Sequence, residues 1–413
     1  MIKQRYISQD IIQLALKRHK MAFLSGPRQV GKTTLAKNLG ARYDLVLYKN
    51  WDESEFRRKW TKSPNSLKDE LSLEKPNLSK LLILDEIHKS KGWKQKLKGL
   101  YDELGTEIHI LVTGSAKLNV FKKGSDSLMG RYVNFRLHPF SLGESLSVTS
   151  SDTNKSPRLD PEAWIKSVFT NKNQFKTHQL AQLMEHSGFP EPLFSQSKKI
   201  TNIWRRGRNE KIVREDLRDL SRLPELSQIE MLTALLPTKV GSPLSVQSLR
   251  EDLEVAHDTV TRWLNYLQQL YYFFELKPWS KSVPRSLKKE GKIYLYDYSE
   301  IESEGVKFEN LIACHLFKAC QYWTDTGEGL YELSYLRNKE KEEVDFLLTK
   351  NKMPWLMVEA KYKNTNIQTK VVKKFNQYLG CPYVQIVYED EVWHKINPNT
   401  LVCSAALALS RLP

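Results

Sequence analysis

The chain of 413 residues is longer than one hydrophobic core usually serves, so about two to four domains are expected. Hydrophobic residues make up 40% and charged residues 27%, the balance of an ordinary folded protein, and no apolar run reaches the length of a membrane span. The net charge of +16 points to a polyanionic partner, nucleic acid before an anionic membrane surface, while four cysteines without C-x-x-C spacing exclude a disulfide scaffold and suit reduced thiols in a cytoplasmic protein.

Lys20 to Ser25 reads as a short buried strand and Thr33 to Leu39 as the opening of a helix. Between them Gly26-Pro27-Arg28-Gln29-Val30-Gly31-Lys32-Thr33, followed by Thr34, matches G-x-x-x-x-G-K-[ST] at every fixed position. Such a loop binds a nucleoside triphosphate because backbone N–H groups and a helix N-terminus converge on the phosphates. Gly26 and Gly31 supply backbone freedom, Lys32 reaches the β- and γ-phosphates, and Thr33 presents its hydroxyl to Mg²⁺. ATP and Mg²⁺ are the expected cofactors.

Leu81-Leu82-Ile83-Leu84-Asp85-Glu86 is an aliphatic run ending in two acids, the pattern of a central parallel strand covered on both faces. Its acids then stand at the carboxyl end of the strand, where α/β sheets place ligands. Asp85 is expected to hold Mg²⁺ and Glu86 to polarise the attacking water. Ile108 to Val112 is the next strand, and Ser115 at its tip is placed to sense the γ-phosphate, against the plainer reading of a turn or helix N-cap. Arg131 precedes a further strand, Tyr132 to Leu137. An arginine there acts in trans on a neighbouring subunit's ATP or is a solvated surface group; the first reading predicts a homo-oligomer.

Residues 147–162 are polar and read as a linker, and helices are expected through Leu236. Trp204 to Arg208, with Lys211, Arg214, Arg218 and Arg222, form a basic stretch. It reads either as a nucleotide-sensing lid or as a solvated face paired with Glu215, Asp216 and Asp219. Residues 245–270 read as a helix-turn-helix, its second helix carrying an apolar stripe at Val260, Trp263, Leu264, Leu267 and Leu270. Thr259 and Arg262 on the opposite face are candidate DNA contacts. Lys277 to Lys292 reads as a basic wing in which Lys281, Arg285, Lys288 and Lys289 would meet DNA phosphates.

Lys307 to Ile312 begins an amphipathic helix carrying Glu309. Glu343 to Leu348 is a strand carrying Asp345, and Pro354 to Lys361 is a strand ending in Glu359-Ala360-Lys361. In strand geometry Glu359 and Lys361 share a face. Asp345 and Glu359 supply hard oxygen ligands for Mg²⁺, and Lys361 positions the water. The set Glu309, Asp345, Glu359 and Lys361 resembles a PD-(D/E)XK nuclease core.

The ordered motifs GPRQVGKTTL, LLILDEIHKSKGW, ILVTGSA, GRYVNFRLHPFSLGE and SGFPEP resemble a prokaryotic group of AAA+-type P-loop ATPases that carry a C-terminal domain of unknown function. The resemblance spans essentially the whole chain. It implies an α/β fold in four modules: an ATPase core over 1–146, a helical lid over 160–235, a winged helix over 236–300 and a restriction-endonuclease-like domain over 301–413. The expected function is ATP-dependent DNA processing on duplex or branched DNA, with Mg²⁺-dependent cleavage and no membrane partner. A DNA remodeller that binds without cutting, and a nucleotide switch acting on a protein partner in defence or toxin control, are the alternatives.

Overall fold

The computed structural model describes residues 4–72, 78–115, 128–146, 161–162, 165, 178–217, 226–280, 290–363 and 369–413. They fall into two compact units, Gln4–His138 and Pro139–Pro413.

The first unit is built on a five-stranded parallel sheet in the order β2-β3-β4-β1-β5, with β1 Met21–Ser25, β2 Leu45–Asn50, β3 Lys80–Asp85, β4 Ile108–Gly114 and β5 Tyr132–Arg136. Every residue of β1 and β3 is buried, as their near-continuous apolar sequences require of strands covered on both faces. One core gathers Phe23, Leu82, Leu84, Ile110 and Val112 against Trp60 and the helix Trp93–Leu104. Helix α1, Lys32–Gly40, leaves β1 through a loop that ends on Gly31 at φ 97, a left-handed conformation that glycine adopts without strain. Gly26 is required for a different reason: a Cβ there would lie 2.3 Å from the Leu137 carbonyl oxygen. The strand that precedes the phosphate loop and the chain leaving β5 are thereby pressed together.

In the second unit a six-stranded mixed sheet runs β12-β13-β11-β10-β9-β8: β8 Tyr331–Arg337, β9 Glu343–Lys350, β10 Met353–Lys361, β11 Tyr383–Val387, β12 Trp393–Asn397 and β13 Thr400–Ser404. A long helix, α2, Glu304–Asp325, packs on it through Phe308, Leu311, Ile312, Leu316 and Trp323. Ahead of these lie helices Val246–Leu253 and α3, His257–Gln269, then an antiparallel ribbon of β6 Phe273–Leu276 and β7 Lys292–Leu295. The apolar stripe of α3 is buried as its spacing predicts, at Val260, Trp263, Leu264 and Leu267.

Residues 139–146, grouped at sequence level with the ATPase, pack within the second unit. Ser141 and Glu144 form a reciprocal capping box around the short helix Leu142–Ser145. The Leu142 N–H donates to His315 Nε2 at 2.9 Å, and buried Lys318 pairs with Glu144. Both partners lie on α2, which explains the boundary at His138. In the basic stretch, Arg208 is 2% exposed, its guanidinium over the Phe189 ring and donating to the Tyr271 carbonyl at 3.1 Å. Arg214 pairs with Glu230 at an exposed position, and Arg218 and Arg222 lie outside the described residues.

Candidate functional site

Strand register assembles the first site. Asp85 lies level with Asn50 of β2 and Thr113 of β4, and its carboxylate accepts three hydroxyls: Thr33 at 2.7 Å and Tyr48 at 2.9 Å on Oδ2, and Thr113 at 2.5 Å on Oδ1. A motif residue, Thr33, thus touches the acid expected to share a cation with it. Lys32 is buried and donates to the Gly26 and Pro27 carbonyls at 2.9 and 2.7 Å. Val30 is fully buried, Arg28 half-buried, and Gln29 and Thr34 exposed.

Glu86 follows β3 at φ 56, which turns its side chain out of the strand alternation. Its Oε2 is buried and accepts no hydrogen bond, with His88 Nε2 3.4 Å away. Burial raises its carboxyl above the ordinary glutamate value, the Lys32 charge opposing. A buried carboxylate oxygen left open beside a phosphate loop suits an attacking water. Ser115 points to His88 Nε2 at 3.4 Å, so the hydroxyl on the acid pair is that of Thr113. Arg131 forks onto Asp102 at 2.9 and 3.3 Å on the exposed surface. Tyr48, His88 and Thr113 were missed at sequence level; only Thr113, at the tip of a strand expected beside β3, carried a readable signal.

The second site lies where β9, β10 and α2 converge. The antiparallel register pairs Phe346 with Val358, which sets Asp345 beside Glu359. Asp345 N–H donates to Glu359 Oε2 at 3.3 Å, and Ala360 N–H to Asp345 Oδ2 at 2.9 Å. Lys361 Nζ is 2.6 Å from Glu359 Oε1. Glu309 enters from α2, its Oε1 accepting the Tyr294 hydroxyl at 2.8 Å with Lys292 Nζ 3.9 Å away. Burial and the Asp345 charge push Glu309 up to about 7, and the same two causes push Glu359 to about 7. Asp345, Glu359 and Lys361 are thus in direct contact, while Glu309 approaches from α2 with Tyr294 and Lys292 as its contacts. Among the described residues, however, no three His, Cys, Asp or Glu side chains stand close enough to hold one metal ion. Lys292, read in the sequence as the last cation of the basic wing, is instead 3% exposed and turned to Glu343 and Glu309, and Tyr294 beside it was not singled out.

Of the candidate DNA contacts, Arg262 is exposed and Thr259 half-buried on α3. Lys281, Arg285, Lys288 and Lys289 lie outside the described residues. No helix among the described residues is long and apolar enough to cross a membrane.

With this geometry in place, comparison with known proteins adds three matched segments. Residues 18–146 match the family profile described as AAA domain. That segment is similar to an AAA-domain P-loop core. Residues 177–300 and 304–401 match two profiles, each described as a domain of unknown function (DUF8612 and DUF4143). An uncharacterized protein of Methanocaldococcus jannaschii is 26% identical over 389 residues, covering 86% of this chain and 77% of the relative. One of Mycobacterium tuberculosis is 25% identical over 287 residues, covering 69% of this chain and 56% of the relative, so the chain spans little more than half the length of that protein. Among solved structures, the Walker-type ATPase PABY2304 of Pyrococcus abyssi aligns with 14% identity and a TM-score of 0.43, over 72% of this chain and 94% of the other. The Aeropyrum pernix ORC1 protein in complex with DNA aligns with 14% identity and a TM-score of 0.33, over 76% and 93%.

Proposed function

We propose that the chain is an ATP-dependent DNA-processing protein in which ATP hydrolysis at the first site drives movement on DNA and the second site is a nuclease-like centre. The observation that carries this reading is the direct contact of Asp345, Glu359 and Lys361 on adjacent strands, under a packed helix that carries Glu309. Two neighbouring carboxylates and a lysine are the groups that phosphodiester chemistry needs.

At the first site Lys32 exchanges the Gly26 and Pro27 carbonyls for phosphate oxygens. Thr33 and Asp85, already joined by a hydrogen bond, would be the oxygen donors for Mg²⁺. Glu86, with its open buried oxygen, accepts the proton of the attacking water. At the second site Asp345 and Glu359 would hold Mg²⁺, which supplies charge neutralisation at phosphate. Lys361 orients the water. Thr259, Arg262 and the basic wing 281–289 of a winged helix are assigned to the DNA backbone, and Arg131 to a neighbouring subunit's ATP in a homo-oligomer.

A second reading, a remodeller of branched DNA that grips without cutting, is favoured by one observation. Lys361 is already paired with Glu359 and an Asp345 oxygen is taken by a backbone N–H, so no three-ligand metal site stands formed. ATPase rate and cleavage measured on single-stranded, duplex, forked and four-way DNA separate the two. Cleavage lost in Lys361→Ala with ATPase intact supports the nuclease; DNA-stimulated ATPase without any cleavage supports the remodeller. ATP turnover indifferent to all DNA, with no binding at low salt, sinks both and leaves a nucleotide switch.

A further inference from the structure

Lys292 is a lysine only 3% exposed, on a ribbon strand that belongs to neither β9, β10 nor α2. Alternation along β7 places Lys292 and Tyr294 on one face, and that face meets the carboxylate cluster. The ammonium pairs with Glu343 of β9, lies 3.9 Å from Glu309 Oε1 and sits over the Tyr335 ring at 5.3 Å. The Tyr294 hydroxyl donates to that same Oε1 at 2.8 Å, its ring wedged between Phe274 and Phe346. Glu309 is thus held by the ribbon through one oxygen, and the positive charge beside it comes from a side chain. Burying an ammonium is costly unless carboxylates surround it, so this lysine is placed for the cluster and not for solvent.

We propose that Lys292 is a resident counter-ion on the Glu309 side of the carboxylate cluster, as Lys361 is on the Glu359 side, and that its ammonium opposes a divalent cation there, so that the ribbon's hold on Glu309 and cation binding work against each other. The inference rests on the reading of Asp345 and Glu359 as cation ligands. Coulomb attraction and repulsion at these separations exceed thermal energy many times over in a partly desolvated site, so a single ammonium suffices to weaken cation binding substantially.

Mn²⁺ titration of the nucleotide-free, full-length protein, read by the electron paramagnetic resonance of the free ion, tests this. Only binding that Asp345→Asn removes is counted, which sets aside the phosphate-loop site. Lys292→Met is expected to bind Mn²⁺ at least about tenfold more tightly than the parent, and Lys292→Arg, which keeps the charge, within about threefold. Tyr294→Phe, which keeps the ring and frees the Glu309 oxygen, is expected to tighten binding by about threefold even if Lys292→Met folds poorly. If Asp345→Asn removes parental binding but neither Lys292→Met nor Tyr294→Phe tightens it, the counter-ion role is overturned while the cation site stands. If Asp345→Asn removes no binding from any variant, the cation site itself is refuted and the inference falls with it.

Discussion

Thr33 donates its hydroxyl to Asp85 at 2.7 Å across 52 positions of sequence, and two further hydroxyls, of Tyr48 and Thr113, converge on the same carboxylate. Three donors fix both oxygens of Asp85 in position before any ligand arrives, which is the preorganisation that a phosphoryl-transfer site requires. Thr113 is fully buried, so Thr113→Val removes one donor while keeping shape. We expect kcat for ATP to fall by about tenfold, at a stability cost of about 1 kcal/mol, with nucleotide affinity within about threefold. Steady-state ATPase kinetics with a nucleotide-binding titration check this; an unchanged kcat contradicts it.

The second site predicts a dependence of stability on pH. Glu309 and Glu359 are both pushed up to about 7 by burial and the charge of Asp345. In the interval between 4.5, their ordinary value, and about 7 the folded chain binds protons that the unfolded chain has released. That contribution is fully present below 4.5 and disappears as pH climbs through about 7. Urea midpoints in chelator should therefore decline between pH 5 and pH 8, over which range Glu309→Gln and Glu359→Gln flatten the decline. A midpoint that rises across this interval, or a slope untouched by both substitutions, contradicts the assignment.

Local signals and long-range register account for what the sequence disclosed and what it concealed. The phosphate loop, the acid pair after β3 and the E-x-K at the end of β10 are written in consecutive residues and were readable. Ser115 was read as a γ-phosphate sensor at the strand tip beside Glu86, and it lies on His88; the hydroxyl that the β3–β4 register levels with Asp85 is that of Thr113, which was not singled out. A shift by two positions changes which hydroxyl arrives, and no local pattern records it. Tyr48, Lys292 and Tyr294 come from strands whose partners are distant in sequence, and Arg208 sits inside a basic run yet is buried under Phe189. Ser141 and Glu144 entered only as part of a family motif, and neither their capping box nor its docking on α2 was read from the sequence.

That docking predicts a measurable coupling. Lys318 and Glu144 have side chains only 2% and 6% exposed and pair with each other. Lys318→Met strands a buried carboxylate and should destabilise by about 3–5 kcal/mol, whereas adding Glu144→Gln, which removes the stranded charge, recovers part of the loss. Urea denaturation of the two single variants and the double variant measures this. Strict additivity would mean that the pair does not act as a unit.

Arg131 is tied to Asp102 of its own chain by a forked contact on an exposed face. Asp102→Asn loosens that tie without removing the cation. In the trans-acting reading Arg131→Ala lowers ATP turnover by about 10³ where the chain is assembled, while Asp102→Asn preserves or raises it. ATPase rate followed against protein concentration gives the answer, and an Arg131→Ala rate equal to the parent's at every concentration removes the role.

Glu86 supplies the last and sharpest separation of binding from chemistry. Its positive φ turns the carboxyl away from the strand, and its buried Oε2 has no hydrogen-bond donor, so the side chain contributes little to the fold that glutamine would not. Glu86→Gln should therefore bind ATP as the parent does and lose turnover by about 10²–10⁴, the range that a positioned general base contributes. Because burial holds the carboxyl above the ordinary glutamate value, the proton-accepting form becomes populated only at a pH higher than for an exposed glutamate. The parental ATPase rate should accordingly rise with pH on its acidic side, with a midpoint above the usual carboxylate range, and the residual rate of Glu86→Gln should lack that limb. A parental profile flat from pH 5 upward, alongside normal turnover in Glu86→Gln, would assign the water-activating role to another group.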